Sequence, residues 1–309
     1  MEGAHLGALV SILINNYNYG RFVGEAIESA LAQSYANCEV IVVDDGSTDD
    51  SRETIKRFAD KVVPVFKGNG GQSSAFNAGF SHSRGDIICF LDSDDLFLPT
   101  KVERVVRALD GQPREWCFHH LQWTDQDLNS LEMPVNSHKS GERDERLDLC
   151  AGRFNFIPPA TSGLAFTRKL LDQIMPMPEE IKITSDDYLK LSSMALAPGY
   201  YLEDQLALQR IHGANAYTRH ENVALKAEIQ IATAFGLRRR CPVLKQVCNR
   251  MYADGLALRF RDWPTLGRIN SGKSDYFEGL SLIERVAVCA RVGYKVAQHS
   301  FKQRVKAPA

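Results

Sequence analysis

The sequence lacks the features of a membrane-spanning or secreted protein. No apolar run approaches the ~18 residues that a spanning helix requires. The first residues show no charged stretch followed by a long apolar run, so no secretory signal peptide is expected. The seven cysteines are scattered and none has C-x-x-C spacing, which disfavours zinc and redox sites. We therefore expect a cytoplasmic protein with reduced thiols.

Signatures of several ligand-binding classes are also missing. A net charge of −1 gives no overall field that would attract nucleic acid, so we expect no nucleic-acid partner. The chain has no G-x-x-x-x-G-K-[ST] loop, and no G-x-G-x-x-G follows its first apolar run, which disfavours P-loop and dinucleotide-binding proteins. The segment Gly68–Gly71 is then either a flexible turn before a helix or a loop that contacts a ligand.

What the first hundred residues do have is a regular alternation of short apolar runs and helix-like segments. The apolar runs predict four strands, at Leu9–Ile14, Val40–Val43, Val62–Phe66 and Ile87–Leu91. Helices are expected between them and from Pro99 to Leu109, where proline occupies a first-turn position. This alternation predicts an α/β fold with a mostly parallel central sheet flanked by helices.

The rest of the chain is less regular. Strands are expected at Trp116–Trp123, Gly163–Thr167 and Leu206–Ile211, and a long polar loop at 127–146. From about Glu221 the pattern is helical to the end. We therefore divide the chain into residues 1–110 and 111–220, which form the two halves of one domain, and a helical extension at 221–309.

Polar clusters follow three of the first four strands. They are Asn15–Asn18, Asp44–Asp45 and Asp92–Asp95. In parallel sheets, ligands bind at the carboxyl ends of the strands, so these clusters are expected to meet at one edge. Asp92 and Asp94, with one residue between them, are able to share a hard divalent cation, Mn²⁺ or Mg²⁺, that bridges to substrate phosphates. The alternative is a polar turn that caps the following helix.

Two later clusters are weaker signals. Asp186 and Asp187 precede an apolar helical stretch, where acids are favoured by the helix dipole and could also serve as a general base. His212 lies at a predicted strand end, where it is either structural or part of a site. The basic residues of the C-terminal helices are either a solvated face or a contact with an anionic membrane surface.

Together these motifs resemble family 2 glycosyltransferases, which have the GT-A fold. The opening strand with Tyr17-Asn18, the segment Val40–Ser51 with Asp-Asp-Gly-Ser, and the segment Gly85–Asp95 with its D-x-D motif are similar to those of the family. The likeness is close over residues 9–110 and continues more loosely to about residue 218. The last ninety residues resemble nothing we can name.

The resemblance implies a role for each matching position. Asn15 and Tyr17 would line the base pocket of a nucleotide-diphosphate sugar, and Asp45 would bond the base. Asp94 would be the main metal ligand, Asp92 would contact the ribose or the metal, and His212 would reach the metal or the diphosphate. Asp187 would be the catalytic base, with Asp186 as the competing choice. The remaining residues that we assign to the nucleotide-sugar site are Asp44, Asn77 and Ser93.

The resemblance further implies an inverting transfer of a sugar to an acceptor hydroxyl, on a saccharide or a lipid-linked acceptor, in polysaccharide or glycoconjugate synthesis. Two departures affect details of the site. Asn15-Asn16 stands where Pro-Thr or Pro-Ser is usual, and Asp186-Asp187 where Glu-Asp is more common. Two alternatives remain at this stage: a metal-dependent sugar-phosphate nucleotidyltransferase and a non-catalytic nucleotide-sugar binder.

Overall fold

The computed structural model of the chain describes residues 7–133, 138–213, 215, 222–261 and 273–306. The backbone divides into two compact units. The first combines the residues up to 147 with 155–218, and the second combines 148–154 with the residues from 219 onward. The expected boundary at residue 110 falls inside the first unit and stays a prediction.

The first unit is built on one nine-stranded sheet with helices between its strands. The strands are β1 (Val10–Asn16), β2 (Cys38–Asp44), β3 (Val63–Phe66), β4 (Ile87–Asp92), β5 (Leu96–Phe97), β6 (Trp116–Thr124), β7 (Gly141–Arg143), β8 (Leu164–Thr167) and β9 (Gly199–Arg210). The helices are α1 (Gly20–Leu31), α2 (Ser51–Lys56), α3 (Gln72–His82), α4 (Lys101–Leu109), α5 (Arg146–Cys150), α6 (Arg168–Ile174) and α7 (Asp186–Leu196). α5 continues into the second unit.

The sheet is mixed, with strand order β3-β2-β1-β4-β8-β6-β9-β5 and β7 paired to β9. The first four strands are parallel, as the alternating pattern predicts. The apolar residues of β1, β2 and β4 are buried because helices cover the sheet, whereas Val63 and Phe66 of the edge strand β3 are exposed. The predicted helical face of α1 packs inward through Phe22, Ala26 and Ile27. β8 then enters antiparallel to both β4 and β6.

Two elements differ from the expectation. β9 begins at Gly199 and not near Leu206. The sequence pattern missed its first half because the polar residues Glu203, Asp204 and Gln205 interrupt the apolar run. β7 lies within the segment expected to be a loop, where it pairs antiparallel with the start of β9. Short, charged strands are common at sheet edges, where they discourage pairing with other chains, and their polarity makes them resemble loops in sequence.

The described part of the second unit is helical, as expected from the sequence pattern. Its main helices are α8 (Val223–Arg240), α9 (Lys245–Arg261), α10 (Lys273–Glu278) and α11 (Leu282–Lys306). Arg291 of α11 forms a two-bonded ion pair with Asp254 of α9, at 2.8 Å for each bond. None of the described helices combines the length and the apolar character needed to cross a bilayer.

Gly199, at the start of β9, lets the indole ring of Trp116 pack directly against the backbone of this strand. A Cβ atom added at Gly199 would lie 1.9 Å from Cδ2 of Trp116, the fully buried residue opposite it in β6. We expect Gly199→Ala to lower the free energy of unfolding by about 1–3 kcal/mol, because the indole would have to move within a packed core. Urea unfolding would measure the change.

Gly141→Ala is the matched control for this prediction. Gly141 lies in β7 beside the same end of β9, but an added Cβ would meet no atom within 4 Å. Equal unfolding midpoints for the two variants would contradict the packing argument.

Candidate active site

The ends of β1, β2 and β4 bring the three polar clusters together. β1 lies between the other two strands, and the register places Asn15 beside Asp92 and Asn16 beside Asp44. The amide of Asn15 donates to Asp92 Oδ1 at 3.1 Å. The clusters therefore meet at one edge of the sheet, as the sequence pattern predicts.

A cavity of about 690 Å³ opens at this edge within the first unit. Most of the candidate residues contribute to its wall: Asn15, Tyr17, Asp45, Asp92, Ser93, Asp94 and Asp186. Residues that the sequence reasoning did not single out also line it, including Gln72, Thr161, Thr184, Arg210 and Asn215. This volume lies within the range typical of small-molecule sites in proteins.

Asp92 is a strongly perturbed carboxyl group of the cavity. Burial, followed by the nearby charges of Asp94 and Asp186, raises the pKa of Asp92 to about 7. The hydrogen bond that Asn15 donates to Asp92 lowers this pKa, but offsets the increase only in part. The charges of Asp94 and Asp186 make the ionisation of Asp92 more costly, and a bound cation would be favourable in such a setting.

Asp94 is held by two side chains that follow β9. Its Oδ2 atom accepts hydrogen bonds from Nε2 of His212 at 3.1 Å and from Nδ2 of Asn215 at 3.0 Å. Asn215 Nδ2 also donates to the carbonyl oxygen of Arg210, which fixes the turn. The contact of His212 with Asp94 places this histidine beside the D-x-D segment, and its role toward a metal or a diphosphate stays a prediction.

The carboxylate of Asp95 joins two neighbouring segments of the fold. One carboxylate oxygen accepts from Ser162 Oγ at 2.6 Å, and the other accepts from the backbone N–H of Arg210 at 2.9 Å. Ser162 Oγ lies within hydrogen-bonding distance of the Asp92 N–H as well. The end of β4 is therefore tied to the turn before β8 and to the end of β9.

The acids fit a divalent cation that is shared with a ligand. In the described part of the chain, no three histidine, cysteine or acidic side chains form a group able to hold a metal by themselves. Mg²⁺ is usually bound through one or two carboxylates plus substrate phosphates, so a complete protein cage is not required. Asp92 and Asp94 supply the hard oxygen atoms such an ion prefers.

Asp45, which directly follows β2, also lines the cavity. Its carboxylate accepts from the backbone N–H groups of Gly70 and Gly71, at 2.9 Å and 2.7 Å, and from Lys67 Nζ. The N–H groups of Gly70 and Gly71 are therefore directed at Asp45, and Asn69 and Gly71 of this loop line the cavity. Tyr17, which is 46% exposed, also lines the cavity.

Asp44 and Asn77 lie outside the cavity wall, as do His212 and Asp187. Asp44 is fully buried, and although burial raises its pKa, bonds from Ser47, Arg52 and Asn16 outweigh this effect and lower it. Asn77 spans from α3 to the backbone of Met177, donating to its oxygen at 2.9 Å and accepting from its nitrogen at 2.7 Å. In this structure the side chains of Asp44 and Asn77 are engaged in holding the scaffold.

The two acids at the start of α7, Asp186 and Asp187, have different surroundings. Lys190 Nζ contacts both carboxylates, Asp186 at 2.9 Å and Asp187 at 2.8 Å. The side chain of Asp186 is 8% exposed and lines the cavity, whereas that of Asp187 is 39% exposed and does not. Burial raises the pKa of Asp186, the charge of Lys190 opposes the increase, and Asp187 adds to it.

The fold and this site define the class of protein: a mixed α/β sheet with a D-x-D segment at the mouth of a strand-end cavity, as in GT-A glycosyltransferases. Solved structures share the architecture. S. aureus TarS 1-349 in complex with UDP-GlcNAc matches with a TM-score of 0.61 at 16% identity, over 93% of this chain and 80% of that one. A mannosyltransferase from Pyrobaculum calidifontis, in complex with GDP-Man and Mn²⁺, matches with a TM-score of 0.51 at 15% identity, over 97% and 88%.

The sequence comparisons identify the family. The family described as Glycosyl transferase family 2 matches residues 11–162. An uncharacterised glycosyltransferase of Nostoc sp. is 37% identical over 212 residues, which are 67% of this chain and 66% of the relative. The Escherichia coli glucosyltransferase WfaP is 38% identical over 106 residues, 34% of this chain and 42% of its own. The chain therefore belongs to glycosyltransferase family 2, and it spans just under two thirds of the Nostoc relative's length.

Proposed function

We propose that this protein transfers a sugar from a nucleotide-diphosphate sugar to an acceptor hydroxyl, with inversion at the anomeric carbon. The observation that carries the proposal is the single cavity that joins Asn15 and Asp45 to the acids Asp92, Asp94 and Asp186. One ligand of nucleotide-sugar size would span from the first pair to the last acid. Membership of family 2 favours this reaction over nucleotidyl transfer and over binding without catalysis.

The cavity wall suggests how the donor is held. Asn15, Tyr17 and Asp45 would contact the nucleoside, since amide and carboxylate groups bond base and ribose donors. Asp92, Ser93 and Asp94 would face the diphosphate. When bound there, Mn²⁺ or Mg²⁺ would neutralise the negative charge that develops on the leaving group. We assign UDP as the nucleotide, because TarS was solved with UDP-GlcNAc and WfaP is named for UDP-Glc.

We assign the base role to Asp186, which lines the cavity. Burial raises its pKa, and a carboxylate with a higher pKa is a stronger base. The acceptor oxygen would lose its proton to Asp186 and attack the anomeric carbon from the face opposite the nucleoside diphosphate, which gives inversion in one displacement. Lys190, which contacts both acids of α7, would hold the carboxylate in place and stabilise its ionised form.

The acceptor we propose is the hydroxyl of a lipid-linked saccharide, the class that WfaP is named for. A peripheral membrane contact through α11 would serve such an acceptor. Leu282, Ile283 and Val286 at its start are 78%, 82% and 62% exposed, and Tyr294 is 65% exposed. The helix sequence holds six basic residues and one acid, so an anionic bilayer complements both its charge and its apolar side chains.

The first prediction of this proposal concerns the donor. We expect UDP and UDP-glucose to raise the melting temperature of the wild-type protein more with Mn²⁺ than without it. A ligand at 100 times its Kd adds about 2.7 kcal/mol, which shifts the midpoint by several degrees. Asp94→Asn should lose the Mn²⁺-dependent part of the shift, whereas Asp172→Asn, on the exposed face of α6, should retain it. A full Mn²⁺-dependent shift in Asp94→Asn would rule out its metal role.

A second prediction separates the two acids of α7. With UDP-glucose and a GlcNAc-diphosphoundecaprenol acceptor, Asp186→Asn should lower the turnover number by roughly 10²–10⁴-fold, the usual contribution of a general base. UDP binding should persist in this variant, and Asp187→Asn should have a much smaller effect on turnover. The reverse order would assign the base to Asp187, as the family resemblance implies.

A third prediction concerns the membrane contact. We expect the protein to co-sediment with vesicles of phosphatidylglycerol and phosphatidylcholine, and less with phosphatidylcholine alone. Ile283→Glu with Val286→Glu should abolish the binding, because both side chains are exposed on α11. Val243→Glu, at a 45% exposed position of the same unit, is the control and should leave it intact. Unchanged vesicle binding in the double variant, or concentration-dependent dimers in place of vesicle binding, would contradict this contact.

A further inference from the structure

Gln72, the first residue of α3, joins two parts of the cavity that the proposed mechanism treats separately. Its side-chain oxygen accepts the backbone N–H of Ser185 at 2.8 Å, and its side-chain nitrogen lies 3.4 Å from Asp92 Oδ1. A backbone N–H donates only and an ionised carboxylate accepts only, so both partners require the same orientation of the amide. One side chain therefore connects the D-x-D segment to the residue that precedes α7.

Other bonds fasten the loop that precedes α7, residues 182–185, to the start of α3. The Gln72 N–H donates to the carbonyl oxygen of Lys182 at 2.8 Å, and Lys182 Nζ donates to that of Gly70 at 2.7 Å. Ser73 Oγ donates to Ser185 Oγ at 2.9 Å. These bonds hold the loop but do not reach Asp92, which distinguishes them from the side chain of Gln72.

The loop is held in a backbone conformation that its residues do not favour. Thr184, which lines the cavity, has a φ of +54°. A β-branched residue rarely occupies this region and stays there only when surrounding contacts impose it. α7 begins two residues later, so the position of Asp186 depends on how firmly the loop is held.

We propose that Gln72 is a positioning residue that couples occupation of the donor site at Asp92 to the order of the α7 N-terminus and its base. A donor that engages Asp92 fixes the carboxylate, the carboxylate fixes the Gln72 amide, and the amide fixes Ser185 beside Asp186. This inference rests on the proposed function, because it takes the nucleotide to bind at Asp92.

Hydrogen exchange measured with UDP and Mn²⁺ tests the coupling without knowledge of the acceptor. In the wild-type protein, saturating UDP should slow exchange of the Ser185–Asp187 amides by about fivefold or more. Gln72→Met, which has similar length but no amide, should bind UDP with a Kd within about threefold of wild type and lose this slowing. Its turnover should fall while its KM for UDP-glucose changes little.

Ser73→Ala is the matched control. It removes a bond to Ser185 without touching Asp92, so basal exchange should rise while the UDP-dependent slowing persists. Gln72→Asn provides a second variant should Gln72→Met fold poorly, because its shorter amide cannot span both partners and should also lose the slowing. Slowing that persists in both Gln72 variants would overturn the coupling, as would UDP binding to wild type without any slowing. UDP that fails to bind the wild-type protein would instead remove the proposed function, and the coupling with it.

Discussion

The site depends on the crowding of carboxylates at one edge of the sheet. β1, β2 and β4 end side by side, so acids from separate parts of the chain meet where burial makes their ionisation costly. The rise in the pKa of Asp92 to about 7 is the direct sign of this cost. Hydrogen bonds from Asn15 and Thr161 offset part of it. In the proposed function, a cation shared with a diphosphate would offset it further.

The departure from the family at Asn15-Asn16 acquires a physical role in this setting. Asn15 donates to Asp92 at 3.1 Å, and Asn16 donates to Asp44 at 3.0 Å. Proline at the first position would have no side-chain donor to offer. Each amide therefore stabilises one carboxylate on a neighbouring strand.

The strands and their polar ends could be predicted because their signals are local. Apolar runs of four to six residues, three of them followed by Asn or Asp, predict both a strand and its polar end. Asn215, Lys190 and Gln72 gave no such signal, since their roles arise from contacts between distant parts of the chain. Asp44 shows the opposite case, because its neighbour Asp45 lines the cavity while Asp44 itself points into the scaffold.

The bonds that hold Asp94 also set the order in which the site is assembled. The partners of this carboxylate, His212 and Asn215, lie 118 and 121 residues later in the chain. During synthesis the four parallel strands are complete long before these residues emerge, and contacts of such separation form late because a long loop must first close. Until then, the carboxylate of Asp94 lacks the two side chains that hold it in the finished fold. Under the proposed function, full donor binding would require a chain synthesised past β9.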